Sequence, residues 1–444
     1  MPHPLSHKAL PVWSCSLGCP KNRVDSEHLL GSLGVPVKSV AHMGQARVVF
    51  INTCGFIAPA VQESVRTVVE AVTRIGRYKR KPLLVVAGCM VGRYGVSTLK
   101  GELPEVDLWL PTREHAQWAG RVREALLLQG KGEDGDRLAE GRLLSTGPSY
   151  AWLKIGEGCR HNCAFCTIPS IRGGLVSTPL QQLVDEAKTL LDQGVKELVL
   201  VAQDITAWGS DFAQKRDLRH LLDALLPLPG LFWLRLLYLY PTGVTEDFLR
   251  YMRDAGPVLL PYLDIPLQHA HKDVLCNMGR PFAGDPARVI DAVRHFLPTA
   301  AIRTTFIVGY PGETPEHFDC LCRFVEAQRF ANMGVFAYQA EEGTKAATLS
   351  GQIGAEEKDA RREILMQLQA DISEAWLAGQ VGKRLPVLVD SENPEWPGLH
   401  NGRVWFQAPE VDGQTYVSGP GVASGQMLEC EIVEHATYDL TALA

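Results

Sequence analysis

Trp152-Leu153-Lys154-Ile155, followed by Cys159-Arg160-His161-Asn162-Cys163-Ala164-Phe165-Cys166, is the stretch from which the fold is read. A short apolar run suited to a buried strand passes directly into three cysteines spaced C-x3-C-x2-C. Apolar runs recur downstream at Glu197–Val201, Trp233–Leu239, Tyr262–Ile265, Ile302–Val308 and Gly334–Tyr338. Between most of them lies a helical pattern, as at Leu180–Gln193 and Pro286–Phe296. Six such units fall short of an eight-unit barrel and predict an open, partial (βα)6 barrel, with the charged helix Ala355–Ala378 closing the region.

Three thiolates within eight residues can wrap one cuboidal iron–sulfur cluster. Such clusters ordinarily take four cysteines, so one iron is left open to another ligand. Half of a zinc site is the competing reading, with His161 on offer as a further ligand, although zinc usually has paired C-x-x-C ligands. Gln203 and Asp204 follow one strand, and Gly309-Tyr310-Pro311-Gly312-Glu313 follows another. Both would lie at the C-terminal mouth of the barrel, where ligands bind. The same residues also make ordinary turns.

Upstream, Val12–Cys15, Val48–Ile51 and Leu83–Ala87 read as strands, with helical stretches such as Val61–Ile75 between them. This alternation favours a parallel sheet wrapped by helices. Cys19, Cys54 and Cys89 each stand at or just past the end of one strand, so parallel neighbours would bring them to one sheet edge. A glycine adjoins each one (Gly18, Gly55, Gly88) and would let backbone approach a bulky cluster. Lone cysteines are equally at home as small buried hydrophobes.

The polar, glycine-rich run Gln129–Asp136 marks a linker. Past the charged helix, Leu385–Val389, Arg403–Gln407, Tyr416–Ser418 and Met427–Val433 are short strands punctuated by glycine, which predict a small β-barrel. The expected division is 9–125 for an N-terminal α/β domain, 126–148 for the linker, 149–377 for the central domain and 378–444 for the terminal barrel.

The chain has 444 residues, 46% of them apolar and 21% charged, enough for several cores. Its 44 basic and 50 acidic residues leave a net charge of −6, which argues against a general nucleic-acid binder. No apolar stretch reaches the roughly 18 residues a membrane span needs. Met1–Lys8 lacks the apolar core of a signal peptide. A soluble, cytoplasmic protein with no membrane partner is expected. Eleven cysteines in a reducing compartment point to metal or redox chemistry rather than disulfides. Cys15 is expected to pack in a strand or loop. Cys276 and Cys430 are expected in the core, and Cys320 and Cys322 point apart on a helix. The 13 histidines show no metal-ligand pairing.

The C-x3-C-x2-C spacing, with an aromatic residue before the last cysteine, resembles the signature of the radical S-adenosylmethionine superfamily. The phrases SLGCPKNRVDSE (16–27), NTCGFI (52–57), EGCRHNCAFC (157–166), LVAQDITAWG (200–209), YLDIPLQHA (262–270) and TFIVGYPGET (305–314) together resemble the methylthiotransferases over nearly the whole chain. The resemblance implies an N-terminal cluster domain, a radical core and a C-terminal TRAM domain. It implies two 4Fe-4S clusters, with Cys159, Cys163 and Cys166 holding the radical cluster and Cys19, Cys54 and Cys89 the auxiliary, sulfur-donating one. It also implies S-adenosyl-L-methionine as methyl donor and radical source, with Phe165, Gln203, Gly309 and Glu313 as candidate contacts. No catalytic residue beyond the cluster ligands is implied. An electron donor and a sulfur source would be required.

The family has a tRNA-modifying, MiaB-like branch and a RimO-like branch that modifies an aspartate β-carbon of ribosomal protein S-twelve. From Ala378 onward Lys383, Arg384 and Arg403 face nine acidic residues. A barrel that grips RNA needs basic residues to displace phosphate counterions. An acidic one suits a basic ribosomal protein, or simply aids solubility. YLDIPLQHA, SLGCPKN and LRLLYLYP (234–241) also look closer to the RimO-like branch.

Overall fold

The structure, a computed structural model, describes residues 9–128, 141–280 and 285–444. The glycine-rich linker run Gln129–Asp136 therefore lies outside the described residues. The chain divides into two compact units, Met1–Ser145 with Thr167–Gly174, and Thr146–Cys166 with Leu175–Ala444.

The first unit is built on a five-stranded, all-parallel sheet: β1 (Leu10–Ser16), β2 (Val37–Ser39), β3 (Val48–Thr53), β4 (Leu83–Gly88) and β5 (Leu108–Pro111), in the order β2-β1-β3-β4-β5. Every residue of β3 and β4 is buried, as continuous apolar runs require when helices cover both faces. Alternate side chains serve opposite cores. Phe50 and Val85 pack with Trp118 on one face, while Ile51 and Val86 pack with Trp109 on the other. The helix predicted over Val61–Ile75 runs Ala58–Gly76. The sequence reading missed β2 and β5, both short edge strands, where polar residues and a terminal proline are tolerated.

The second unit holds β6 (Tyr150–Lys154), the two-residue strands β7 (Gly156–Glu157) and β8 (Val176–Ser177), then β9 (Glu197–Val201), β10 (Trp233–Leu236), β11 (Leu259–Asp264), β12 (Ala301–Val308) and β13 (Asn332–Ala337). Six of these form a parallel sheet in chain order, β6-β9-β10-β11-β12-β13, the expected (βα)6 arrangement. The β7–β8 ribbon closes the neck of the loop that carries Cys159, Cys163 and Cys166. The charged helix spans Ala355–Ala378 as expected.

The chain ends in a closed five-stranded barrel of β14 (Arg384–Glu392), β15 (His400–Val404), β16 (Thr415–Ser418), β17 (Met427–His435) and β18 (Leu440–Leu443). It joins the central domain through buried charges. Glu197 accepts from Arg235 Nε at 2.6 Å and Arg403 Nη1 at 2.5 Å, and Arg403 forks onto Asp390 at 2.7 and 2.9 Å. Tyr262 donates to Asp412 at 2.6 Å and Tyr150 to Glu410 at 2.7 Å. Tyr150 and Glu197 open their strands, so the barrel docks at the end of the sheet away from the cysteine loop.

Two sequence readings change here. Arg403, counted among the three bases that set the module's charge, is buried in an ion network. Cys276, expected in the core, is exposed because its helix Lys272–Asn277 turns Val274 and Leu275 inward instead. Cys430 is buried as expected. Among the described residues no helix is long and apolar enough to cross a membrane.

Candidate functional site

In the first unit the three strand-end loops are tied by side chains. Asn22 Nδ2 donates to Leu17 O and Thr53 O at 2.9 and 3.1 Å, Asn52 Nδ2 donates to Asn22 O at 2.7 Å, and Thr53 Oγ1 donates to Ala87 O at 2.6 Å. Ser64 Oγ clamps Cys54, accepting from its N–H and donating to its carbonyl. The glycines serve these loops by letting them touch. A Cβ on Gly18 would lie 2.8 Å from Cys54 Cβ, one on Gly55 2.6 Å from Met90 N, and one on Gly88 (φ +106°) 2.3 Å from Asn52 Oδ1.

Cys19, Cys54 and Cys89 therefore lie on one patch of the sheet edge, close enough to interact electrostatically. Burial pushes Cys54 up to about 11 and also raises Cys89. At Cys19 burial is outweighed by the charges of Lys21 and Arg172 and by N–H groups of Asn22 and Lys21, so its thiol lies below the usual range. Cys19 also caps the helix Pro20–Gly31, whose N-terminal dipole favours a thiolate. Cys15 lies in β1, half-buried.

The sequence reading missed Arg172. It ends the five-residue helix Ile168–Arg172, which follows directly after Cys166. Arg113 holds that helix through the carbonyls of Pro169, Ser170 and Ile171, and Thr167 Oγ1 donates to Phe56 O at 3.0 Å. Arg172 Nη2 then reaches Cys89 Sγ at 3.1 Å and Asn22 Oδ1 at 2.5 Å, with Asp25 Oδ2 3.7 Å from Nη1.

In the second unit Cys159, Cys163 and Cys166 share the loop beyond β7, all half-buried thiols. Ala164 N donates to Met278 O at 3.0 Å and Ala346 N to Ala164 O at 2.8 Å, which fixes the loop over the strand ends. His161 is committed elsewhere than to a metal. Its Nε2 lies 2.7 Å from Asp204 Oδ2, and its ring stacks on Tyr240 at 3.7 Å. Arg280 covers Tyr240 at 4.6 Å and donates to Cys163 Sγ at 3.4 Å. Burial raises Cys159 against the pull of the His161 N–H. Tyr238 and Gln268, just past β10 and β11, hold positive φ of 64° and 75°, strain of the kind that collects at working ends of folds.

The four candidate cofactor contacts occupy different settings. Phe165 is a partly buried ring packed against the cluster of Ala164, Val274, Met278, Tyr310, Tyr338 and Ala346. Gln203 donates to Glu157 at 3.4 Å and leaves Oε1 buried with no hydrogen-bond partner. Gly309 (φ +71°) turns its α-carbon under Lys358, whose Cγ would lie 2.2 Å from a Cβ there. Glu313 is buried, accepting from Arg361 at 2.8 Å and from Tyr310 N at 3.1 Å.

Among the described residues, the trio whose ligand atoms all lie within 4.8 Å is His271, Asp273 and His317. Both rings accept a backbone N–H at Nδ1 as helix caps, so that lone pair is already engaged on each.

The central region, residues 153–325, matches the model of the radical SAM superfamily. Residues 12–111 match Uncharacterized protein family UPF0004, and residues 381–444 match the TRAM domain. The ribosomal protein uS12 methylthiotransferase RimO of Nitratidesulfovibrio vulgaris (strain Hildenborough) is 60% identical over 433 residues, covering 98% of this chain and 99% of the relative. This chain belongs to the RimO family. The RimO proteins of Oleidesulfovibrio alaskensis (59% identity, 98% and 99% coverage) and Aquifex aeolicus (44%, 96% and 95%) extend the likeness. Among solved structures, the radical S-adenosylmethionine methyltransferase TsrM of Kitasatospora setae, with cobalamin and a [4Fe-4S] cluster bound, shares the fold at a TM-score of 0.55 and 13% identity, covering 89% of this chain and 77% of that one.

Proposed function

We propose that this RimO family member is a radical S-adenosylmethionine methylthiotransferase that attaches a methylthio group to an aspartate β-carbon of ribosomal protein uS12, using two 4Fe-4S clusters. The observation that carries the two-cluster reading is that each unit has its own trio of free thiols at the C-terminal ends of parallel strands. The donor sets fit such groups. Each trio is all sulfur, and N–H or guanidinium donors face Cys19, Cys54, Cys89, Cys159 and Cys163.

Bound there, the clusters and S-adenosyl-L-methionine supply the one-electron chemistry and the sulfur. The protein holds them in place. Cys159, Cys163 and Cys166 hold the radical cluster, with Arg280 and the His161 N–H donating to sulfur. Gln203 Oε1 offers a buried acceptor to the cofactor's polar groups, and Phe165 offers an apolar face. Glu313 shapes its loop by fixing the Tyr310 N–H, and Gly309 allows Lys358 to pack beneath it. Cys19, Cys54 and Cys89 hold the sulfur-donating cluster at a largely buried edge, where water is kept from reactive sulfur. An electron donor and a sulfur source complete the reaction.

The terminal barrel carries five exposed carboxylates away from its junction with the central domain, Glu392, Glu395, Glu429, Glu431 and Glu434, against the exposed cations Lys383 and Arg384. That excess of surface acid suits a basic ribosomal protein and repels a phosphate backbone. The test is an anaerobic reaction of reconstituted protein with S-adenosylmethionine, reductant, sulfide and either a uS12 peptide or bulk tRNA, read by mass spectrometry. A methylthio gain on the peptide's aspartate is expected. The same gain on tRNA adenosine, with the peptide untouched, would overturn the substrate assignment in favour of the MiaB-like activity.

A further inference from the structure

We propose that Arg172 raises the reduction potential of the cluster held by Cys19, Cys54 and Cys89, acting as a positioning residue through the sulfur of Cys89. The inference rests on the two-cluster reading above. The Arg172 side chain is 1% exposed, as is its neighbour Asp25. Burying a guanidinium costs several kcal/mol unless negative charge and acceptors surround it. Its neighbours include the Asn22 amide at 2.5 Å, Asp25 at 3.7 Å and the Cys89 sulfur at 3.1 Å. A cysteine-ligated cluster would bring further negative charge to that sulfur, and a cation donating to a ligand sulfur favours the state with one more electron.

The placement is a built one. Arg113 engages three carbonyls of the Arg172 helix, and Gly92 allows close approach, since a Cβ there would lie 3.2 Å from Ile171 O. Joining a substrate carbon radical to cluster-held sulfur uses one electron of the sulfur–iron bond and leaves the other on the cluster. A buried cation at Cys89 stabilises that extra electron, and so helps sulfur leave the cluster.

The test uses the full chain with Cys159, Cys163 and Cys166 changed to Ala, so that iron is held by the N-terminal trio alone. After anaerobic reconstitution, iron and sulfide are counted and the cluster is titrated by EPR-monitored potentiometry. Arg172→Gln should keep its iron and become harder to reduce. The ratio of reduced to oxidised cluster at a fixed potential should fall about tenfold, a shift of about 59 mV to more negative values. An unchanged potential in an iron-loaded Arg172→Gln overturns the proposal. Absence of iron from the Cys→Ala parent overturns the two-cluster reading instead. If Arg172→Gln does not fold, pulsed EPR of the reduced parent carrying 15N-labelled arginine decides. Guanidinium nitrogen coupling to the cluster spin is expected, and its absence overturns the role of Arg172.

Discussion

His269 shows how burial at one residue turns into a pH dependence. It is fully buried, and burial followed by the charges of His271, His317 and Arg361 drops it to about 3. The native ring is therefore neutral, while the unfolded ring protonates below about 6.5. Between those values the unfolded state binds more protons, so this group lowers stability as pH falls, by about 1.4 kcal/mol per pH unit. Glu313, 3.9 Å from His269 and raised chiefly by burial, opposes the trend on the acid side. Comparing His269→Gln with the parent in denaturant titrations at pH 7 and pH 5 isolates the histidine. The variant should lose less stability on acidification, and equal losses would contradict the assignment. At Cys54 the expected effect concerns metal: Cys54→Ala should bind about half the parent's iron after reconstitution, by colorimetric assay.

Two elements carry predictions of their own. The cysteine loops of the first unit touch because glycine adjoins each, and Gly88 does so in a backbone conformation that side chains rarely adopt. Gly88→Ala should cost about 1–3 kcal/mol by urea unfolding and lower iron uptake by the N-terminal trio. On β17, Glu429 and Glu431 flank the buried Cys430, and Glu434 follows a register shift, so all three face solvent. Reversing them to Lys should slow association with uS12 by about tenfold at low salt, with the difference shrinking as ionic strength rises. Stopped-flow binding measures it, and a salt-independent rate would remove the barrel from substrate capture.

Across the whole molecule, the terminal barrel and the central sheet form one compact unit stapled by Glu197, which serves both Arg235 and Arg403. Removing that carboxylate leaves two buried guanidinium groups short of charge. Glu197→Ala should cost about 3–5 kcal/mol and make the chain more open to limited proteolysis near residues 378–384. Asp390 and the Trp405 carbonyl retain part of the network, so the barrel itself should stay folded.

The patterns legible from the sequence alone were local ones. Continuous apolar runs set β3 and β4, the six-fold alternation of strand and helix set the central sheet, and the spacing of Cys159, Cys163 and Cys166 gathered those three on one loop. Such features depend on neighbours a few residues apart, which periodicity records. Tertiary structure alone decided which charges are buried and against what. Arg172 meets Asn22 across 150 positions of chain, and Arg403 meets Glu197 across 206. Neither burial was legible in the sequence, because a charged side chain carries no periodic signature of burial. Only the folded chain supplies the carboxylates, carbonyls and sulfur that make burying them favourable.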